Sequence, residues 1–274
     1  MPYVTQPLML EAVFSAVTER IKNGLMPTYL LHPRTPLFRS VPEKYAALNG
    51  ESLLELSSAQ ENLRIRNATD FGNRFSGSSY STKIASRGAL YFSESEASLV
   101  NEHFWYARDK RAYRDELTGY PVLHPSLVEK RILKASISAP MLVADLDVHA
   151  GHDVGFLNEL QQSAEIQSVM KLTRYPYQSL LEAMKSSTDC SVARGIGLAV
   201  ATSRELFGLR VGTIRESDRS SDETGNNLVL YGMQDKFLTG LKIESVFCFG
   251  YDSTGDFLIT EHQTEDIAAR KSTT

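Results

Sequence analysis

The order in which helical and strand-like segments follow one another constrains the fold of this chain most strongly. Apolar residues recur at helical spacing over 5–23, 154–170, 176–186 and 191–207. Short apolar segments typical of strands occur at 89–92, 131–147, 209–214, 227–232, 242–249 and 256–261. Because the two kinds of segment do not alternate regularly, as parallel β-α-β units would require, we predict an α+β fold.

The N-terminal segment is predicted to be a helix followed by extended chain. Pro7 suits the first turn of a helix over 5–23, and Gly24 suits its end. Four prolines within 25–43 favour a linker or an edge segment. We therefore expect the first helix to be an appended element that is separable from the rest of the chain.

Composition excludes several classes of protein. Of the 274 residues, 29 are Lys or Arg and 33 are Asp or Glu, which gives a net charge of −4. This charge argues against a protein that binds nucleic acid through an excess of positive charge. No apolar run approaches the roughly 20 residues needed to cross a bilayer, and the N-terminus lacks the pattern of a secretory signal. The two cysteines, Cys190 and Cys248, fit a reducing compartment. We predict a cytoplasmic protein.

Three residues form the first candidate site. Arg74 lies in the Gly-punctuated loop FGNRFSG, which would expose a guanidinium. Tyr91 lies on a predicted strand and Glu102 on the helix that follows, joined by a turn of capping-box form at Ser93–Glu96. An Arg in a polar loop and a Glu on a helix are most often simply solvated, so spacing alone favours no function for them.

Five short elements, in this order along residues 36–232, resemble the RES-domain family. That family has an aromatic–Arg pair, an Arg-bearing loop, a strand of the form Leu-Tyr-Phe-Ser, a helix with a Glu, and a Ser ahead of a closing strand with Asn-Leu. The matching elements here are Phe38–Arg39, Asn73–Phe75, Gly88–Ser93, Leu99–Glu102, and Thr213–Arg219 with Gly225–Leu230.

The resemblance implies a fold like that of ADP-ribosyltransferase toxins, with small central β-sheets flanked by helices. It implies an enzyme that takes NAD+ as substrate and needs no cofactor or metal. Glu102 would stabilise the oxocarbenium-like transition state of nicotinamide–ribose cleavage. Arg39 and Arg74 would bind the substrate diphosphate, Tyr91 would contact the nicotinamide end, and Ser217 would contribute a hydroxyl. Alternative candidates for the loop Arg are Arg64, Arg66 and Arg87.

The functional hypothesis is therefore an NAD+-degrading toxin or effector, either an NAD+ glycohydrolase or a phosphorylase. A cognate antitoxin or immunity protein is its expected partner, and neither nucleic acid nor a membrane is expected to bind directly. Two alternatives stay open: a mono-ADP-ribosyltransferase that modifies a protein, and a non-catalytic interaction domain. We divide the chain into a helix and linker at 1–35, a RES-like catalytic domain at 36–232 and a hairpin extension with a tail at 233–274.

A second candidate site is a cluster of side chains that can bind metals. The cluster comprises Asp145, Asp147, His149, His152 and Asp153. Its alternative interpretation is a strand that runs into a polar turn, with Asp153 capping the helix at 154–170. We favour the second interpretation and predict no metal site.

Two further motifs are interpreted as structural. Gly195-Ile196-Gly197 could suggest a dinucleotide-binding loop, but no strand precedes it, so we predict a tightly packed helix. Cys190 has no neighbouring His in the sequence, which argues against a thiol nucleophile.

Overall fold

The computed structural model describes residues 2–42, 75, 88–95, 99, 130–146, 155–186, 189–212, 226–232, 241–251 and 257–263. Its helices are α1 (Pro2–Lys22), α2 (Gly155–Gln161), α3 (Ala164–Thr173), α4 (Leu180–Lys185) and α5 (Ser191–Thr202). Its strands are β1 (Thr28–Leu31), β2 (Leu37–Pro42), β3 (Gly88–Ser93), β4 (Lys130–Ile137), β5 (Met141–Leu146), β6 (Gly208–Gly212), β7 (Asn226–Gly232), β8 (Leu241–Tyr251) and β9 (Phe257–Gln263). The predicted mixture of helices and strands is confirmed. None of these described helices is long and apolar enough to cross a membrane.

The nine described strands form one mixed sheet in the order β1-β5-β6-β7-β3-β2-β4-β8-β9. Among the described strand pairs, β5 and β6 are parallel and the others antiparallel. A single residue pair, Phe38 opposite Ser93, joins β2 to β3. The sheet therefore divides into a five-stranded half, β1-β5-β6-β7-β3, and a four-stranded half, β2-β4-β8-β9. One continuous sheet with a narrow junction replaces the separate small sheets that we expected.

The two halves of the sheet fold over each other. Strands β4 and β5 lie five places apart in the sheet order, about 24 Å in a flat sheet. The chain passes from Ile137 to Met141 in four Cα steps, which span at most about 14 Å. The sheet must therefore curl, so that its two halves approach each other. Where they meet, the Arg34 N–H, just after β1, donates to the Ile137 carbonyl at the end of β4 at 3.3 Å.

Each face of the five-stranded half is buried against a different partner. One face packs on the helices and forms the helix-side core, to which α1, α5 and alternate residues of β5, β6 and β7 contribute. The other face meets the four-stranded half in what we call the inter-sheet core. Its buried members are Leu31, Leu37, Leu90, Phe92, Ala135, Ile137, Val143, Leu228 and Leu230.

Helix α1 is central to the helix-side core, so the expectation that it is a separable, appended element is wrong. Met9, Val13 and Val17 are fully buried on its inner face. The helix starts at Pro2, slightly before the predicted position, and ends at Lys22, two residues before the predicted stop at Gly24, whose φ of +67° suits a glycine. Removing α1 would expose this apolar face and uncover α5.

Several predicted helix ends are wrong, and at one of them a side chain competes for the backbone. The helix predicted over 154–170 is two helices, α2 and α3, and Ser163 between them is extended. The helix predicted over 191–207 ends at Thr202, because the Ser203 hydroxyl accepts the N–H groups of Glu205 and Leu206 at 3.2 and 3.4 Å. The helix predicted over 176–186 begins only at Leu180.

The strand predictions are largely confirmed. The segment 131–147 forms β4 and β5 with Pro140 between them, and the predicted C-terminal hairpin is the antiparallel pair β8–β9. Of the proline-containing segment at 25–43, β1 lies at the edge of the sheet as predicted, whereas β2 lies inside it.

Candidate functional site

Of the five predicted site residues, the structure describes Arg39 and Tyr91. Arg74, Glu102 and Ser217 lie outside the described residues, as do the alternative loop arginines. How Arg74, Glu102 and Ser217 lie relative to one another stays a prediction.

Tyr91 faces the helix-side core, where two tyrosine hydroxyls hold one backbone segment. The Phe75 N–H donates to the Tyr91 hydroxyl at 3.1 Å, and the Tyr231 hydroxyl donates to the Phe75 carbonyl at 2.9 Å. Burial raises the pKa of Tyr231 well above its usual value, with a smaller contribution from Tyr91, so it remains a neutral donor. These bonds fix Phe75, which follows Arg74 in the sequence, against β3 and β7.

Arg39 faces the opposite side of the sheet. Its guanidinium carbon lies 5.9 Å from the centroid of the Phe92 ring, and Phe92 belongs to the inter-sheet core. Because successive residues of a strand point to opposite faces, Tyr91 and Phe92 diverge. The structure therefore does not bring Arg39 and Tyr91 to one surface.

A polar cluster that we did not predict lies on the same face as Arg39. Arg210 donates from Nε to Glu94 Oε1 at 2.9 Å and from Nη2 to Glu94 Oε2 at 3.3 Å. Its Nη1 donates to both oxygens of Asp145 at 3.2 and 3.3 Å. Asn226 Nδ2 donates to Glu94 Oε2 at 2.9 Å, and the Arg210 guanidinium carbon lies 4.5 Å from the centroid of the Tyr29 ring. These five residues are called the Arg210 cluster.

Strand register assembles this cluster. Asp145 lies opposite Arg210 in the parallel β5–β6 pair. Glu94 directly follows β3, and its N–H donates to the Asn226 carbonyl at 2.9 Å, which extends the β3–β7 ladder. Residues on either side of Asp145 and of Arg210 are buried in the helix-side core, so both charged side chains point to the inter-sheet face.

The electrostatics of the cluster favour a charged Arg210. Burial alone lowers its pKa, but the hydrogen bonds and charge of Glu94, followed by Asp145, outweigh burial and raise it. The side chains of Arg210, Glu94 and Asp145 are only 15, 19 and 21% exposed. The Arg210 guanidinium therefore remains charged between two carboxylates, in a setting where water screens their attraction only partly.

The pairing of Asp145 with Arg210 bears on the metal prediction. Asp145 is the described member of the predicted metal-binding set, and its carboxylate is already bonded to a guanidinium. Asp147, His149, His152 and Asp153 lie outside the described residues. No group of three or more potential metal ligands occurs in the part of the chain that the structure describes.

The glycine motif is confirmed as a packed helix. Gly195 and Gly197 lie within α5 and are buried. A Cβ at Gly195 would lie 2.9 Å from the Leu10 carbonyl oxygen of α1, and one at Gly197 would overlap the Phe75 carbonyl. The two glycines allow close packing of helix on helix and of helix on the Phe75 segment. Cys190, just before α5, is a free thiol.

Sequence reasoning missed the Arg210 cluster although one signal was available. Arg210 stands between Leu209 and Val211 in an apolar strand, and that alternation predicts a polar face. Its partners could not be found this way, because Glu94 and Asp145 are 116 and 65 residues distant in the sequence.

The chain matches no protein-family model and no curated protein sequence.

Proposed function

We propose that this chain is an NAD+-degrading enzyme of RES type that cleaves the bond between nicotinamide and ribose. One observation supports the proposal most. Three of the elements that resemble the RES-domain family, around Arg39, Tyr91 and Asn227, lie on the neighbouring strands β2, β3 and β7. They are far apart in the sequence, and a chance resemblance would not require them to be neighbours in the sheet.

The shape of the sheet also supports the proposal. The two half-sheets are joined by one residue pair, and ligand sites often lie between structural units. Arg39 and the Arg210 cluster both lie on the inter-sheet face. We include an ADP-ribosyltransferase-like fold in the proposal on these grounds.

In the proposed reaction the C1′–N bond breaks, and neutral nicotinamide leaves with the electron pair. Glu102 stabilises the resulting positive charge on the ribose, and a water oxygen attacks C1′ as its proton passes to Glu102 or to solvent. Arg39, with Arg74, binds the diphosphate through paired N–H groups, and Ser217 contributes a hydroxyl.

The role proposed for Tyr91 changes with the structure. We expected a contact with nicotinamide, but its hydroxyl is bonded to the Phe75 backbone and it faces the helix-side core. Tyr91 therefore acts in this proposal as a positioning residue that fixes the segment after Arg74.

The proposed biological setting is an enzyme whose NAD+ consumption in the cytosol is restrained by a cognate inhibitor protein. Expression alone should deplete cellular NAD+, and coexpression of a specific inhibitor should prevent it. Labelled protein instead of depleted NAD+ would favour the mono-ADP-ribosyltransferase, and neither effect would favour the interaction domain.

The direct test follows nicotinamide release from NAD+ by purified protein, in the wild type and in Glu102→Gln. The substitution keeps the size of the side chain and removes its charge, so we expect turnover to fall by about 10²–10³-fold, equivalent to ~3–4 kcal/mol. Binding of NAD+ should change little, because the interaction is made chiefly in the transition state.

Glu205→Gln is a matched control, since Glu205 is an exposed glutamate beyond the end of α5. It should retain full turnover. A Glu102→Gln enzyme that is as active as this control would remove Glu102 from the site, and a wild type that releases no nicotinamide would contradict the proposed function.

A further inference from the structure

The edge of the sheet at β1 is open on its outer side. Strand β1 stands first in the strand order, and in the described sheet it pairs with β5 alone. The Asp145 N–H donates to the Pro27 carbonyl at 2.9 Å, so the backbone groups of Pro27, and of every second residue after it, are directed to β5. The N–H and C=O groups of Thr28 and Leu30 therefore point outwards.

The bonding of β5 agrees with this assignment. Leu142 lies opposite Leu30, but its carbonyl accepts the N–H of Phe207 at 2.8 Å, on the side of β6. Within the part of the chain that the structure describes, the outward groups of Thr28 and Leu30 have no hydrogen-bond partner. An edge strand with such groups can pair with a further strand.

Strand β1 lacks two features that commonly protect an edge. Its sequence, Thr-Tyr-Leu-Leu, contains no charged side chain. Pro27 has no N–H, but an N–H at that position would face β5, so the outer side loses no donor. The backbone of β1 is therefore competent for pairing on its outer side.

An uncovered apolar row begins at this edge. Leu30, Leu142 and Phe207 are neighbours across β1, β5 and the residue before β6, and they are 46, 36 and 41% exposed. They lie on the helix side, because the next residues of β1 and β5 belong to the inter-sheet core. One level along the strands on the same face, Ala144 and Leu209 are fully buried in the helix-side core. The helical layer thus ends one level short of the apolar row.

We propose that two copies of this chain associate by antiparallel pairing of their β1 strands, about a two-fold axis at Tyr29. Thr28 of each copy then lies opposite Leu30 of the other, and each such pair exchanges two hydrogen bonds. All outward groups of both strands are satisfied, because the edge is complementary to itself, as a two-fold interface requires. The dimer does not depend on the proposed cleavage of NAD+.

A second copy also covers the apolar row, which a single added strand would not do. Pairing about this axis keeps both helical layers on the same side of the combined sheet. The helical layer of one copy, which ends at the level of Thr28, then lies beside Leu30 of the other. Leu25, three residues before Thr28, is 60% exposed at this margin and can pack against the row. The row and the end of the helical layer are thus complementary between copies.

The proposed interface is small. Each copy contributes a strand of four residues and a few partly exposed apolar side chains. This is well below the roughly 800 Å² per partner that a stable complex of standard size buries. We therefore expect a reversible dimer that dissociates on dilution.

The test is sedimentation velocity of the full chain between about 10 and about 500 µM, a range that suits a small interface. The wild type should pass from monomer to dimer as its concentration rises. Leu30→Lys places a charge in the pairing edge and should weaken association at least about tenfold. Leu172→Lys is the matched control, because Leu172 on α3 is 82% exposed, and it should dimerise like the wild type.

Hydrogen exchange locates the contact in the wild type, without any substitution. The amides of Thr28 and Leu30 should exchange more slowly at the high concentration, whereas the Tyr29 amide, which faces β5, should be protected equally at both. Protein that stays monomeric over the whole range overturns the proposal and leaves the edge to a strand of another protein. A dimer that Leu30→Lys leaves intact, or exchange at Thr28 and Leu30 that does not depend on concentration, also overturns it.

Discussion

The two faces of the five-stranded half are built in opposite ways from alternate residues of the same strands. On β6, Leu209 and Val211 are buried against the helices, while Arg210 between them is paired with two carboxylates on the other face. On β5, Ala144 and Leu146 flank Asp145 in the same manner. Close apolar packing therefore determines the arrangement of the helix side. Pairing of charged side chains determines that of the inter-sheet side at this end of the strands.

The difference between the two faces indicates where amino-acid substitutions will be tolerated. On the helix side, glycines bring α5 close to α1 and to the Phe75 segment, so even a methyl group has no room. On the inter-sheet side, the charged groups are partly exposed, since Arg210 and Glu94 keep 15 and 19% of their side-chain surface. We expect substitutions on the first face to change stability most and substitutions on the second to change binding as well.

The largest expected loss of stability is for Gly197→Ala. The new Cβ would overlap the Phe75 carbonyl and lie 2.8 Å from the Tyr231 hydroxyl oxygen, in a region where backbone and clamped side chains cannot easily move. We expect the free energy of unfolding to fall by about 3 kcal/mol, measured by urea denaturation. Ser15→Ala, at an exposed position of α1, should change it by less than about 0.5 kcal/mol. Equal midpoints for the two variants would show that the packing is looser than described.

An intermediate effect is expected for Arg210→Met. The change leaves Glu94 and Asp145 without their shared cation, which in a fully buried site costs about 3–5 kcal/mol. Because these side chains are 19 and 21% exposed, we expect a loss of about 2 kcal/mol. Added salt should restore part of it by screening the two carboxylates. A variant as stable as the wild type at low salt would mean that the cluster contributes little to the fold.

The smallest effect concerns pH and the buried Tyr175 on the helix side. Its hydroxyl donates to Asp189 at 2.9 Å and lies 3.2 Å from the Ser191 hydroxyl. Burial, and to a lesser degree the charge of Asp189, raise its pKa far above the usual value. A raised pKa in the folded state stabilises the fold fully below the unfolded pKa of about 10, and this contribution is lost as the pH rises above it.

Tyr175→Phe should therefore lower the free energy of unfolding by about 1 kcal/mol at neutral pH, through the lost hydrogen bond. Between pH 9 and about 11 its stability should fall less steeply than that of the wild type, as denaturant titrations at each pH would record. Parallel profiles of stability against pH for the two proteins would contradict the raised pKa of Tyr175.

Local patterns were sufficient for much of the fold. The short apolar run Ala89–Phe92 predicted β3, the apolar spacing after Pro7 predicted α1, and the close glycines of α5 predicted a packed helix. Helix ends were less predictable, because they depend on individual competing bonds such as those that the Ser203 hydroxyl accepts from the N–H groups of Glu205 and Leu206. The candidate site was least predictable. Arg39 and Tyr91 were chosen as one site, yet the pleat of neighbouring strands directs them to opposite faces.

The sequence by itself determined which segments form helices and strands, because the periodicity of apolar residues depends only on near neighbours. It also determined that β6 has one apolar face and one charged face. Only the tertiary structure decided that α1 belongs to the core, that the sheet closes over itself, and that Arg210 meets Glu94 and Asp145. The physical reason is that these contacts depend on strand order and register, which bring together residues far apart in the chain, and no local pattern encodes which distant partner satisfies a buried charge.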